Sequence, residues 1–307
     1  MASENNLNTT VIVRSVGEST EKITIGLLIN VFGKENVFLI KDFTPFSEAV
    51  KETFRMGLQQ SKKWTLAVDA DVLIFKDKML DFINAANEHI EQKDKKAFCL
   101  EGLLLDKLSN IYREVGLHLY QTKFLKKALK FVDAGMYHIR PETFVKKRMS
   151  ELGYGFYVCS LKIGIHDFFQ YPKSIVKKAI LHCKKHSNAN EMRKLWTSNK
   201  QTDRDFFWAN KGAEIFDSLK DKHINVDKKF MDELIKDCII DEDREMIKKE
   251  NVNEILLKHS DLTEEIILFH SVFQIGSKTI IKRIKRKIKK IYNWLRKRKN
   301  WLYWQKK

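Results

Sequence analysis

Asp69-Ala70-Asp71 places two carboxylates one residue apart, directly after the apolar run Trp64-Thr65-Leu66-Ala67-Val68. Two acids at the end of a buried strand repel each other and lose hydration, and a divalent cation relieves both costs. Mg²⁺ or Mn²⁺ takes oxygen ligands and keeps phosphate oxygens and waters in its shell. The pair would therefore hold a diphosphate and stabilise charge on a departing nucleotide. The alternative is that the two aspartates cap a turn before the next helix.

The stretch Ile165-His166-Asp167-Phe168-Phe169-Gln170-Tyr171-Pro172 is the next to bear chemistry. Asp167 would be a catalytic base that deprotonates an acceptor hydroxyl, or His166 and Asp167 would cap the loop before Pro172. Asp133 precedes Ala134-Gly135, where a glycine permits close approach of a substrate. It is a second catalytic candidate, against an ordinary turn aspartate. Glu101 is a weaker one. His182 and His186 share a helical face with Cys183 between them, but a structural zinc needs a fourth ligand, and Lys184 and Lys185 suit a solvated face. Asp203-Arg204-Asp205 reads as a helix N-cap. No P-loop, GxGxxG, GxSxG or HExxH motif is present.

These groups need a scaffold. Thr10–Val13, Val37–Ile40, Trp64–Val68 and Ala97–Leu100 read as short buried strands. Helical patterns lie between them: one through Ile23, Leu27, Leu28 and Val31 that stops at Gly33, one opened by Pro45, and one over about Met79–Ile90. Continuous apolar strands separated by helices predict an α/β fold with a mainly parallel sheet flanked by helices. Ligands of such sheets bind beyond the carboxyl ends of the strands. There the series places Arg14, Asp42, Asp69 and Asp71. Further on, Phe131–Ile139 reads as a strand broken at Gly135. Pro141 opens a helix ending near Gly153, and Tyr157–Cys159 with Lys162–Ile165 reads as a hairpin or strand pair. Pro172 opens another helix, and nearly everything beyond Asp205 reads as helical.

Val11-Ile12-Val13-Arg14-Ser15-Val16-Gly17-Glu18-Ser19-Thr20 and Trp64-Thr65-Leu66-Ala67-Val68-Asp69-Ala70-Asp71 resemble the opening strand and the DxD strand of bacterial GT-A glycosyltransferases. The resemblance covers residues 9–100 well and 130–210 loosely. It implies a GT-A-like catalytic domain over 1–215, and the helical pattern beyond it reads as an extension over 216–276. It also implies a nucleotide-diphosphate sugar donor and a bound Mn²⁺ or Mg²⁺. Asp69 would lie near the ribose or the metal, and Asp71 would bind the metal. Arg14, Glu18 and Asp42 would lie near the nucleoside. His166 would supply a further metal ligand, and Lys185 and His186 would meet the donor diphosphate. The acceptor would be a glycan or a lipid-linked sugar, in surface polysaccharide synthesis.

Of the net charge of +17, 14 Lys or Arg and no acid fall in residues 278–307, leaving about +3 on the rest. Ile280, Ile281, Ile284, Ile288, Ile291 and Leu295 recur at helical steps among these cations, and Trp294, Trp301, Tyr303 and Trp304 follow. This predicts a basic amphipathic tail over 277–307 lying on an anionic membrane surface. Packing against the body is one alternative. Nucleic-acid binding through the tail is the rival function, and the aromatics at one end disfavour it. The polar N-terminus, the unpaired cysteines and the lack of a long apolar run point to a cytoplasmic chain that meets the membrane from its inner face.

Overall fold

The structure is a computed structural model that describes residues 8–135, 138, 140–185, 189–219, 228–236, 238, 249–259 and 267–272. The basic tail from 277 onward lies outside the described residues, as do His186 and residues 136, 137 and 139 of the expected strand.

The chain is an α/β fold with a mixed sheet flanked by helices. It opens with β1 (Thr9–Ser15), α1 (Glu21–Phe32), β2 (Val37–Lys41), α2 (Phe46–Gln60), β3 (Trp64–Asp69), β4 (Val72–Ile74), α3 (Lys76–Gln92) and β5 (Ala97–Asp106). Then come β6 (Ile111–Arg113), β7 (Leu117–Gln121), α4 (Leu125–Val132), α5 (Pro141–Glu151) and β8 (Gly155–His166). The sheet runs β2-β1-β3-β7-β5-β8-β4, with β6 on β5. β1 pairs in parallel with β2 and β3, and β5 pairs in parallel with β8. β7 runs antiparallel between β3 and β5.

Alternation along β1 explains the layering. Val11 and Val13 face Leu28 and Phe32 of α1 and Phe82 of α3. Ile12 faces the other way, onto Ala49 of α2. Both sheet faces are thus covered, which is why β1 is apolar on both sides and buried throughout. The strand β7 escaped the pattern because its five buried residues include His118 and Gln121, which break an apolar run.

Two local expectations are corrected. Phe131 and Val132 end a helix, and Asp133–Gly135 is a 3₁₀ turn. Leu125, Ala128 and Val132 are buried at helical spacing, and that period outweighs the β-branched content. The supposed hairpin is one twelve-residue strand, β8. Ser160 and Leu161 between its halves include no Gly, Pro or Asn to reverse the chain, and register irregularities against β5 absorb the mismatch.

A second core belongs to the later helices α6 (Pro172–Lys185), α7 (Ala189–Asn199), α8 (Arg204–Ser218) and α9 (Lys228–Leu234). Trp196 of α7 ties them to the sheet by donating its indole N–H to the Leu108 carbonyl at 2.6 Å. Asp203 caps α8 as expected, accepting the N–H groups of Asp205 and Phe206 at 2.9 and 3.3 Å. α10 (Lys249–His259) follows, and then a strand rather than a helix: β9 (Phe269–Ser271) pairs antiparallel with β8. Among the described residues no helix is long and apolar enough to cross a membrane.

Candidate active site

The Asp69-Ala70-Asp71 turn is held from three sides. Thr20 and Thr24 of the α1 region donate their hydroxyls to the Ala70 carbonyl at 2.8 and 2.9 Å. Ala70 N–H donates to Arg14 O, and Asp69 N–H donates to Gly116 O at 2.7 Å. Gly116 has φ +62°, and a Cβ there would lie 2.8 Å from Val72 and 3.0 Å from the His166 ring. Only glycine allows that close approach with that backbone. Past the turn, β4 pairs with the end of β8 so that Val72 faces His166. This register carries Asp71 to the His166-Asp167 pair, about a hundred residues away in sequence.

The two aspartates then diverge. Asp69 points to Arg14, whose Nε donates to Oδ1 at 2.8 Å. Burial raises the Asp69 carboxyl to about 6, against the pull of Arg14 and with a further push from Asp71. Asp71 is buried and lies 3.5 Å from His166 Nε2 through its Oδ1, which has no hydrogen-bond partner. His166 Nδ1 is 3.0 Å from Asp106 Oδ2. Arg113 also donates to Asp106 Oδ2, at 2.7 Å. The Lys178 ammonium of α6 lies between Asp71 and Asp167 and contacts both. Burial alone would raise Asp71, but Lys178 and His166 outweigh it and hold the carboxyl far below its usual range. Burial would lower His166, yet Asp167 and Asp71 lift it to about 9.

Asp71, His166 and Asp167 can each turn a ligand atom to a common point, all within 4.8 Å of one another. An orphaned buried carboxylate oxygen beside an imidazole nitrogen, with the other ring nitrogen fixed by a carboxylate, is the donor set and outer support a divalent cation takes. These residues could hold Mn²⁺ or Mg²⁺. Lys178 supplies positive charge at the same place.

A cleft of about 150 Å³ opens beside Asp69 and Asp71. Ile40, Phe43, Phe46 and Ala49 give it an apolar wall, and Ser15, Val16 and Glu18 a polar rim. An apolar wall with a few polar groups is the lining of a small-ligand site.

A second charged cluster lies sealed behind Arg14. Arg14 Nη1 donates to Glu142 Oε1 at 2.7 Å, and Tyr120 donates to the same oxygen at 2.9 Å. His118 sits between Glu142, at 2.8 Å, and Glu101, and Lys146 pairs with Glu101. Every side chain in this cluster is at least nine-tenths buried.

The sequence-derived residues thus separate. Asp71, His166 and Asp167 come together, with Asp69 and Glu18 at the cleft. Arg14 lines the cleft, but its guanidinium is turned to Asp69 and Glu142 instead of standing free for a nucleoside. Asp42 is exposed at the end of β2, its N–H on Ser15 O at 2.8 Å, and does not line the cleft. Asp133 is exposed and paired with Lys51 at 2.7 Å. Glu101 belongs to the sealed cluster. His182 is buried, with Nδ1 3.4 Å from Met192 Sδ, so it is not on a solvated face. Asp106, Gly116, Glu142 and Lys178 were not anticipated. Asp106 could have been found by extending the Ala97 strand through Leu103-Leu104-Leu105. Lys178 has no local signal.

Among known proteins, the chain matches no family model and no curated sequence.

Proposed function

We propose that the chain is a metal-dependent glycosyltransferase, GT-A-like in fold, that moves a sugar from a nucleotide-diphosphate donor to a glycan or lipid-linked acceptor. The observation that carries this reading is the orphaned Asp71 Oδ1 facing His166 Nε2 beside a cleft with one apolar wall. In this reading Phe43, Phe46 and Ile40 cover a nucleobase, and Asp69 offers its outward oxygen to the ribose side. Asp71, His166 and Asp167 hold the cation. When bound, that cation takes up negative charge on the departing diphosphate. Lys178 adds a second positive charge there and keeps the acids compensated between turnovers. Asp167 is better used as a ligand than as a free base, because Lys178 and His166 already engage it.

Thermal shift of the full chain with UDP- and GDP-sugars, with and without Mn²⁺, tests this. The expected result is stabilisation that needs both nucleotide and metal and disappears in Asp71→Asn. A chain that responds to no nucleotide under either condition is not this enzyme.

A further inference from the structure

The helical layer on one side of the sheet turns a cationic face outward. Leu125, Ala128 and Val132 of α4 join Phe54 of α2 and Val145 and Met149 of α5 in one core. With those positions turned inward, Lys126, Lys127 and Lys130 of α4 are exposed. So are Lys123 just before α4, and Lys147 and Arg148 of α5. Aromatic contacts join these cations into one surface. Lys127 Nζ donates to the Tyr154 hydroxyl at 2.6 Å and lies 4.7 Å from the centre of that ring. Tyr154 meets Phe124 edge-on at 4.8 Å, and Lys123 Nζ lies 4.9 Å from the Phe124 ring. The Arg148 guanidinium of α5 lies 5.7 Å from the Phe131 ring of α4. Acids do not balance this face. Glu151 pairs with Arg148 at 2.6 Å, and Asp133 after α4 is taken by Lys51 at 2.7 Å. On the neighbouring α2, Glu48 and Glu52 are paired with Lys51 and Arg55. Among the described residues no carboxylate pairs with Lys123, Lys126, Lys127, Lys130 or Lys147. On the other side of the sheet α3 mixes its signs, with Asp77, Asp81, Glu88 and Glu91 among Lys76 and Lys78. Lys126 and Lys130 stand four apart on one helix, a repulsion that an anionic surface relieves.

We propose that the outer face of α4 and α5 docks on an anionic lipid surface. The face belongs to the folded body and is separate in sequence from the basic stretch over 277–307. Its cations meet headgroup phosphates, and each adds attraction close to the membrane. Their alkyl stems rest on half-buried rings, which holds apolar stem and charged head at headgroup depth. Leu152, just past α5, is 54% exposed and enters the acyl boundary. A nucleic acid would use the cations but little else. Bases stack on open aromatic faces, and here Lys123, Lys127 and Arg148 already lie over the rings. In the same layer α2 carries Phe46 and Ala49 of the cleft wall, so docking sets how the cleft stands to the lipid whatever the donor.

Flotation of the full chain with vesicles of equal parts phosphatidylglycerol and phosphatidylcholine tests this. Lys126→Gln/Lys130→Gln should weaken binding about thirtyfold, from the attraction that each cation near such a surface supplies. Lys22→Gln/Lys76→Gln removes the same charge from exposed positions on the other layer and should leave binding near the wild-type value. Lys126→Arg/Lys130→Arg should retain it, and Leu152→Gln should weaken it about fivefold. All these chains should keep the wild-type response to UDP or GDP with Mn²⁺, so failure here and failure of the glycosyltransferase reading are separate results. The proposal is overturned if the wild type does not float, or if Lys126→Gln/Lys130→Gln floats as the wild type does. It is also overturned if the control pair weakens binding as much, since net charge alone then acts. Loss of polyuridylate binding in Lys126→Gln/Lys130→Gln, with vesicle binding intact, would overturn it in favour of a nucleic acid.

Discussion

Two charged clusters lie back to back and share Arg14 as their wall. Behind it, Glu101, His118, Glu142 and Lys146 are sealed, and each charge meets an opposite one. In front, Asp71, Asp106, His166, Asp167 and Lys178 are also mostly buried, and each cluster leaves one buried carboxylate oxygen without a hydrogen bond, Glu101 Oε2 behind and Asp71 Oδ1 in front. Burial by itself therefore does not separate a structural cluster from a functional one. The difference lies in access: Asp71 borders the cleft, and Glu101 does not.

The strongest way to break that comparison is to remove the lysine from each. Lys146→Met leaves Glu101 short of a partner and should destabilise the fold by about 3–5 kcal/mol relative to the wild type, by the same amount with and without Mn²⁺. Lys178→Met should cost a similar order in metal-free buffer, somewhat less because Lys178 is a quarter exposed. Mn²⁺ at a hundred times its dissociation constant should add about 2.7 kcal/mol to any chain whose Asp71 site binds it, wild type and Lys146→Met included. In Lys178→Met the gap from the wild type should narrow in Mn²⁺, since the metal takes over the charge that Lys178 supplied. Urea denaturation of the three chains with and without Mn²⁺ reads both gaps, and a Lys146→Met gap that narrows as much would erase the distinction.

The pH dependence of stability sharpens the rear cluster. Burial opposes the charge on Glu142 and Glu101, yet Arg14, His118 and Lys146 outweigh it and lower both below the ordinary value of 4.5. Their contribution is complete above that value and is lost as pH falls below it. Burial would also lower His118, but Glu142 and Glu101 raise it above 6.5. Its contribution is complete below 6.5 and is lost as pH rises through the higher folded value. The contribution of this cluster is therefore largest between about pH 4.5 and 6.5, and His118→Gln should reduce the alkaline fall in denaturation midpoint without abolishing it, because His166, raised to about 9, keeps its own share. The smallest effect is expected for Tyr120→Phe, which removes one hydrogen bond to a charged Glu142. The loss should be about 1.5 kcal/mol with unchanged Mn²⁺ response.

Much of this layout was legible in the residues. The apolar runs ending at Arg14 and Asp69 are continuous because both faces of those strands are covered, so they announced themselves. Asp71 followed from its place after such a run, and His166 and Asp167 from a chemically loaded loop. The partners did not follow. Lys178, Asp106 and Glu142 reach the clusters through long-range pairing of β4, β5 and β8 and through the placement of α5 and α6, none of which leaves a local pattern. Asp133 misled because a glycine after an acid looks like a substrate loop, whereas the preceding residues bury at helical spacing. Arg14 was found at its strand end, but its partner Glu142 is 128 residues away and leaves no local signal.

The central claim is that Asp71 and His166 hold a divalent cation that the rear cluster does not. Paramagnetic resonance of Mn²⁺ titrated into the full chain with UDP or GDP tests this most directly. The account predicts that the free-ion signal disappears up to one equivalent in the wild type and in Tyr120→Phe. It predicts that the signal persists from the first addition in Asp71→Asn and in His166→Ala. A wild-type chain that leaves Mn²⁺ free, or an Asp71→Asn chain that binds it equally well, would contradict the account.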